Sequence, residues 1–208
     1  MSARTPALAL AGLLAGPLLA VTAVTTAAPA QAQVLPSDDV FLVYAGSRYT
    51  LAPLANDGAV GDRGRPRLCG LRGGHPSRAY VETSGDRVVV EALGGWRGTL
   101  TYTYDVCDGE SRASATMTVE VDALLDLRAR RKRGAPGAFV VRNPNQVPVT
   151  VSWGSESSGR PSGTRSVPAN RAVTLKVRQA SAYWVGFVRD RGVVVTAGDG
   201  VVRGLRRR

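Results

Sequence analysis

Residues 94–121, GGWRGTLTYTYDVCDGESRASATMTVEV, carry the clearest pattern in the chain. Across residues 99–106, apolar Leu100, Tyr102, Tyr104 and Val106 alternate with Thr99, Thr101, Thr103 and Asp105, the period-two signature of a strand with one buried and one wet face. A second run follows Asp108-Gly109, and its apolar set is Ala115, Met117, Val119 and Val121. Two such runs joined by a polar, glycine-containing connection predict a hairpin packed on one side.

Working outward, residues 40–44 and 48–51 flank the Gly46-Ser47 turn and predict an opening hairpin. The chain is then loop-like through Asn56-Asp57-Gly58 and Gly61-Asp62-Arg63-Gly64. Residues 67–71 form a short candidate strand, and residues 79–83 and 87–92 flank the compact connection Ser84-Gly85-Asp86. About seven short strands without an amphipathic helix predict two packed sheets, a small β-sandwich over residues 33–122.

These residues also carry a resemblance. Leu54-Ala55-Asn56-Asp57, then Gly95-Trp96-Arg97-Gly98-Thr99 leading into Tyr102-Thr103-Tyr104, the Asp108-Gly109 turn and the closing Thr118-Val119-Glu120-Val121 occur in order. Together they resemble the immunoglobulin-like or cadherin-like repeat domain of bacterial secreted and surface proteins, over about residues 38–122. The resemblance implies spacer, stalk or adhesion roles and brings no catalytic residue. Some such repeats hold calcium in an acidic cluster after the Asn-Asp loop. Here only Asp57 and Asp62 stand there, with Arg63, Arg65 and Arg67 following at once, so no metal and no cofactor is expected.

Charge divides the chain. Residues 33–122 hold 9 Lys/Arg against 12 Asp/Glu and residues 123–208 hold 17 against 4, within a formal net charge of +11. An acidic half followed by a strongly basic one predicts two modules. Residues 1–32 read as a signal peptide: Arg4, an Ala/Leu/Val-rich run, then small residues ending at Ala30 or Ala32. The expectation is a secreted, extracellular or envelope-associated protein without a transmembrane anchor. In that setting Cys69 and Cys107 are expected to pair, closing a loop worth roughly 4 kcal/mol on the chain-entropy estimate. Both cysteines are out of phase with their buried neighbours, which puts the disulfide either on an outer face or at a strand end.

Residues 123–136 read as a basic linker. Its first eleven residues are mostly good helix formers and predict one short helix ending at Gly134-Ala135-Pro136-Gly137. Arg128, Arg130, Arg131, Lys132 and Arg133 are the densest charge in the chain, and serve either as a solvated hinge or as a contact for an anionic surface. Residues 137–204 predict a second small sandwich of about six strands, with Asn143-Pro144-Asn145 as a turn, Gly154 to Gly163 as a polar loop, and one of adjacent Tyr183 and Trp184 exposed. This part more loosely resembles the compact sandwiches that end some actinobacterial exported proteins. Residues 205–208, with Arg206, Arg207 and Arg208, read as a basic tail.

Catalytic patterns are scarce. His75, in Gly73-Gly74-His75-Pro76, is the chain's single histidine. No serine occupies a G-x-S-x-G elbow, and no phosphate-cradling or dinucleotide glycine pattern occurs. Aromatics do not interleave with the basic clusters, so nucleic acid is not an expected partner. The expectation is a monomeric structural or adhesive all-β protein, not an enzyme, that meets an anionic cell-envelope polymer or another surface protein. The rivals are an extracellular hydrolase, with paired carboxylates or with His75 meeting Ser and Asp, and a carbohydrate-binding protein using Trp184 or Trp96.

Overall fold

The computed structural model describes residues 33–60, 65–109, 111–156 and 159–205. The expected signal peptide at 1–32 and the tail arginines Arg206, Arg207 and Arg208 lie outside them, as do Asp62 and Arg63.

The first half contributes nine strands among the described residues: β1 (Gln33–Leu35), β2 (Asp39–Tyr44), β3 (Arg48–Leu51), β4 (Gly58–Val60), β5 (Arg67–Gly73), β6 (Ala79–Ser84), β7 (Arg87–Ala92), β8 (Gly98–Asp108) and β9 (Ser111–Asp122). A four-stranded sheet β2-β9-β8-β5 faces a three-stranded sheet β3-β7-β6, and β1 pairs with β4 beside them. The predicted hairpin is β8-β9, and its apolar sets are the buried ones: Leu100, Tyr102, Tyr104 and Val106 meet Ala115, Met117, Val119 and Val121 within one core with Tyr49, Leu51, Val88 and Val90. Seven strands in this order across two sheets make the Greek-key sandwich of immunoglobulin-like domains.

The opening hairpin does not form. β2 instead runs parallel to β9, and β3 pairs with β7 in the opposite sheet. Gly46, at φ +73°, makes the sharp change of direction. The Ala45 amide there donates to the Asp122 carbonyl and the Gly46 amide to the Ala92 carbonyl, one tie to each sheet.

Cys69 and Cys107 are bonded, with Cα atoms 5.9 Å apart. They join neighbouring strands of one sheet. Leu68 registers with Val106 and Gly70 with Asp105, so Cys69 is the extra residue of a bulge. That bulge accounts for the phase of Cys69, while Cys107 follows the alternation to the outer face.

Asp105 shares that outer face, where the sequence predicts a wet side chain, yet it is 1% exposed. Arg72 and Arg112 each approach Oδ2 at 2.5 Å and the Ser114 hydroxyl donates to Oδ1 at 2.6 Å. The arginine heads are themselves solvated and roof the carboxylate. A Cβ at Gly70 would lie 2.5 Å from Oδ2, so only glycine leaves the carboxylate room. The hydrogen bonds from Ser114 and Arg112 hold the Asp105 carboxyl down at about 2, against the ordinary 3.8. A lowered carboxyl stabilises the fold fully above its unfolded value, and that contribution is lost as pH falls from 3.8 towards about 2. Asp105→Asn is therefore expected to cost about 2 kcal/mol at neutral pH. In urea melts at a series of pH values, the gap between the two proteins should close across that acid window; a gap independent of pH would refute the assignment.

The second half contributes β10 (Arg128–Arg131), β11 (Ala138–Arg142), β12 (Val149–Gly154), β13 (Pro161–Val167), β14 (Ala172–Lys176), β15 (Ser181–Asp190) and β16 (Val193–Arg203). Sheets β10-β11-β14 and β13-β12-β15-β16 enclose a second core of Phe139, Val141, Val149, Val151, Leu175, Ala182, Trp184 and Leu205. Each of its larger side chains contributes roughly 1.5–3 kcal/mol by leaving water. Of the adjacent pair, Tyr183 is the exposed one and Trp184 the buried one. The polar loop predicted up to Gly163 ends earlier, because β13 starts at Pro161 as an edge strand on β12.

The short helix predicted at 123–133 does not form. Arg128–Arg131 is a strand, paired residue for residue with β11. The residues before it are fastened in alternation. The Ala123 carbonyl accepts from Arg97, Leu125 exchanges two hydrogen bonds with the Asn145 side chain, and the Leu127 amide donates to the Ala197 carbonyl. A second bridge is the β15-β16 hairpin. Its register breaks between Val185 and Phe187, and beyond the break Val195 is buried in the first core. At its tip the Arg191 guanidinium lies 5.0 Å from the Tyr49 ring centroid and donates to the Leu42 carbonyl.

Candidate functional site

Pairing of β10 with β11 and of β11 with β14 turns Ala129, Phe139, Val141, Val173 and Leu175 inward. Alternation then sends Arg128 and Arg130, Val140 and Arg142, and Ala172, Thr174 and Lys176 outward. In register across the three strands, one row reads Arg128-Arg142-Ala172 and the next Arg130-Val140-Thr174. Between these rows lies an open concavity of about 700 Å³ lined by Arg128, Arg130, Val140, Arg142, Asn170, Arg171 and Ala172. Its floor is Val140 and Ala172, and its rim is cationic.

The three strands contain no Asp or Glu, and no ion pair among the described residues involves Arg128, Arg130, Arg142 or Arg171. Arg128 and Arg142 stand directly opposite each other on paired strands, an arrangement that like charges disfavour. An anion received between them would relieve that repulsion, and guanidinium groups match planar oxyanions in two-point contact. The arginines on β10 also guard an exposed sheet edge against pairing with another chain.

The rim is held from behind by the Asn143-Pro144-Asn145 turn. The Asn143 amide donates to the Arg171 carbonyl and the Asn170 amide to the Asn145 carbonyl. The Asn143 side chain, fully buried, donates towards the carbonyls of Val147, Val167 and Pro168 and accepts from the amide and side chain of Asn145. Asn170, at φ +55°, turns the chain into Arg171 and reaches Gln146.

Of the basic run predicted as a contact, the structure brings Arg128 and Arg130 to the concavity. Lys132 reaches over to the Thr174 hydroxyl at 3.4 Å on the same face. Arg131 turns away to the Gly204 carbonyl, and Arg133 is exposed in the following turn. Arg142 and Arg171 are the members that the sequence reading missed, since only strand register places them beside residues some 14 and 43 positions earlier.

The other candidates resolve into structure. Asp57 and Asp39 converge on the buried Tyr104 hydroxyl, whose oxygen is 2.8 Å from Asp39 Oδ2 and 2.7 Å from the Ser37 carbonyl. Burial raises both the Asp39 carboxyl and the Tyr104 hydroxyl above their ordinary values. The Leu-Ala-Asn-Asp motif thus ties the first strands to β8. His75 is exposed, and its carbonyl accepts from the amides of Arg78 and Ala79. Trp96 packs against the first core beneath Arg78, and the burial of Trp184 removes it as a sugar platform.

Neither a protein-family profile nor a curated protein matches the sequence. Among solved structures, the chain is similar to domains A168–A170 of titin (10% identity, TM-score 0.37, covering 83% of this chain and 66% of that one). It is similar to the N-terminal four immunoglobulin domains of Dscam1 isoform 6.9 (18%, 0.29, 84% and 47%). A third is a SusE-like surface-located polysaccharide-binding protein from the Bacteroides thetaiotaomicron heparin utilisation locus (8%, 0.36, 83% and 34%). The chain therefore spans two thirds or less of each, and likeness this loose carries no functional assignment. The all-β sandwich architecture rests on the strand order above.

Proposed function

We propose that this chain is an exported, cell-envelope-associated structural or adhesive protein, its first half a bacterial cadherin-like repeat, that acts by binding and not by catalysis. It meets an anionic surface polymer on the outward face of β10-β11-β14. The observation that carries this is the set of arginines Arg128, Arg130, Arg142 and Arg171 around one concavity without a carboxylate partner among the described residues. Export is supported by the disulfide, which persists in oxidising compartments, and by the composition of residues 1–32. No helix of the described residues is long and apolar enough to cross a membrane.

The test is retention of the purified full chain on an immobilised polyuronate and on an immobilised polyphosphate, at low and at high salt. Retention on at least one polymer at low salt, released at high salt, is the expected result. Arg128→Glu with Arg142→Glu should weaken it by about tenfold or more, since two attractions become two repulsions. Equal retention of the double variant, or no retention of the parent on either polymer, overturns the proposal.

A further inference from the structure

The lining of this concavity says more about its ligand than its charge does. A site for a bare polyanion needs cations alone, because a polyphosphate has no apolar surface to cover. Here the cations form a border and the centre is hydrocarbon: Val140 on the middle strand and Ala172 on β14, with the Thr174 position beside them. Neighbouring strands lie about 4.8 Å apart, so the face from β10 to β14 is roughly 10 Å across. Arg128 and Arg130 border one long side, about 7 Å apart along their strand. Arg142 and Arg171 close one end.

Resting on the reading that this face binds an anionic polymer, we infer that its ligand is a linear glycan bearing carboxylate or sulfate groups. The C–H face of a sugar ring lies on Val140 and Ala172, and its charged substituents meet the Arg128–Arg142 pair and Arg130. A pyranose fits a trough of this width, and its axial hydrogens supply the apolar surface that the floor calls for. Other anionic classes fit less well. The lining has no aromatic side chain, so nucleobases find no stacking surface. The site is concave, so a flat bilayer headgroup layer meets the arginine rim and leaves the floor uncovered. Ala172 is the residue that makes the trough: it registers with Arg142, and a larger side chain there would fill the place of the ring.

The test titrates the full chain with a uronate oligosaccharide, a sulfated oligosaccharide and a polyphosphate of matched charge. At least one of the two glycans is expected to bind about fivefold or more tightly than the polyphosphate, and the two glycan arms tell which oxyanion is preferred. Ala172→Leu is expected to weaken the glycan by about fivefold, a modest version of what misfit of a small group in an apolar site costs, and to weaken polyphosphate by a smaller factor. Independently of that variant, titration should shift the methyl resonances of Val140 and Ala172 with glycan and much less with polyphosphate. Equal affinities, with floor resonances that stay still, overturn the glycan assignment while the electrostatic reading stands. Absence of binding by all three polymers at low salt removes both.

Discussion

Asn143→Ala is expected to lower the unfolding free energy by about 3–5 kcal/mol, read as a fall in the urea midpoint. The side chain has no solvent exposure and sits among the carbonyls of Val147, Val167 and Pro168 and two donors of Asn145. A buried polar group stripped of its partner costs about 1–3 kcal/mol, and several are stripped at once. The total stays below their sum because the Pro168 carbonyl still accepts from the Arg171 amide and water enters the space left behind. Asn143→Asp should be worse, since it keeps the shape while placing acceptors, and a charge, against three carbonyl oxygens. The effect should also travel. Asn145 loses the group that orients it, and Asn145 is what holds Leu125 ahead of β10. Polyanion binding should therefore weaken in Asn143→Ala although every arginine is present. A loss under about 1 kcal/mol, with binding intact, would show that the turn holds its shape without this side chain.

The turn illustrates how far a sequence reading reaches. Asn143-Pro144-Asn145 was legible as a turn from its residue types, because local backbone preference is encoded locally. Its role was not, because its partners lie at Leu125, Val167 and Pro168, and nothing local in the sequence says which side chain a fold will bury. The buried faces of β8 and β9 were legible for the opposite reason. A period of two with large apolar residues on one phase has a single good solution in a sheet. Residues 123–133 misled because Leu, Ala, Arg and Lys favour helix residue by residue, a weak preference that pairing with a neighbouring strand outweighs. The better signal was Leu127 and Ala129 alternating with Arg128 and Arg130, which is a short strand pattern with only one large inward residue. At the candidate site the sequence supplied Arg128 and Arg130, and the register supplied Arg142 opposite Arg128. Strand pairing is a long-range fact, so a cationic face assembled from three strands reads in the sequence as one cluster and some scattered arginines.

Removal of the Cys69–Cys107 bond is expected to destabilise the protein by about 4 kcal/mol, the chain-entropy figure for a sequence separation of 38. That is a large share of the roughly 5–15 kcal/mol typical of a folded domain. Two features of the site favour the full effect. β5 is an edge strand, bound to the sheet only through β8, and its ladder is interrupted at the bulge that carries Cys69. The bulge also brings Gly70 over the Asp105 carboxylate, so a β5 that drifts from β8 loosens the Arg72, Arg112 and Ser114 contacts to a buried charge. The disulfide and the Asp105 cluster should therefore be coupled. Asp105→Asn should cost less in a Cys69→Ala, Cys107→Ala background than in the parent, by about 0.5–1 kcal/mol in a double-mutant cycle. Urea unfolding of the parent with and without reductant supplies the control, because reduction should reproduce the loss in the parent and do nothing to the alanine pair. If the reduced parent unfolds within about 1 kcal/mol of the oxidised protein, the β5-β8 ladder is sufficient by itself and the bond only guards a strand already held.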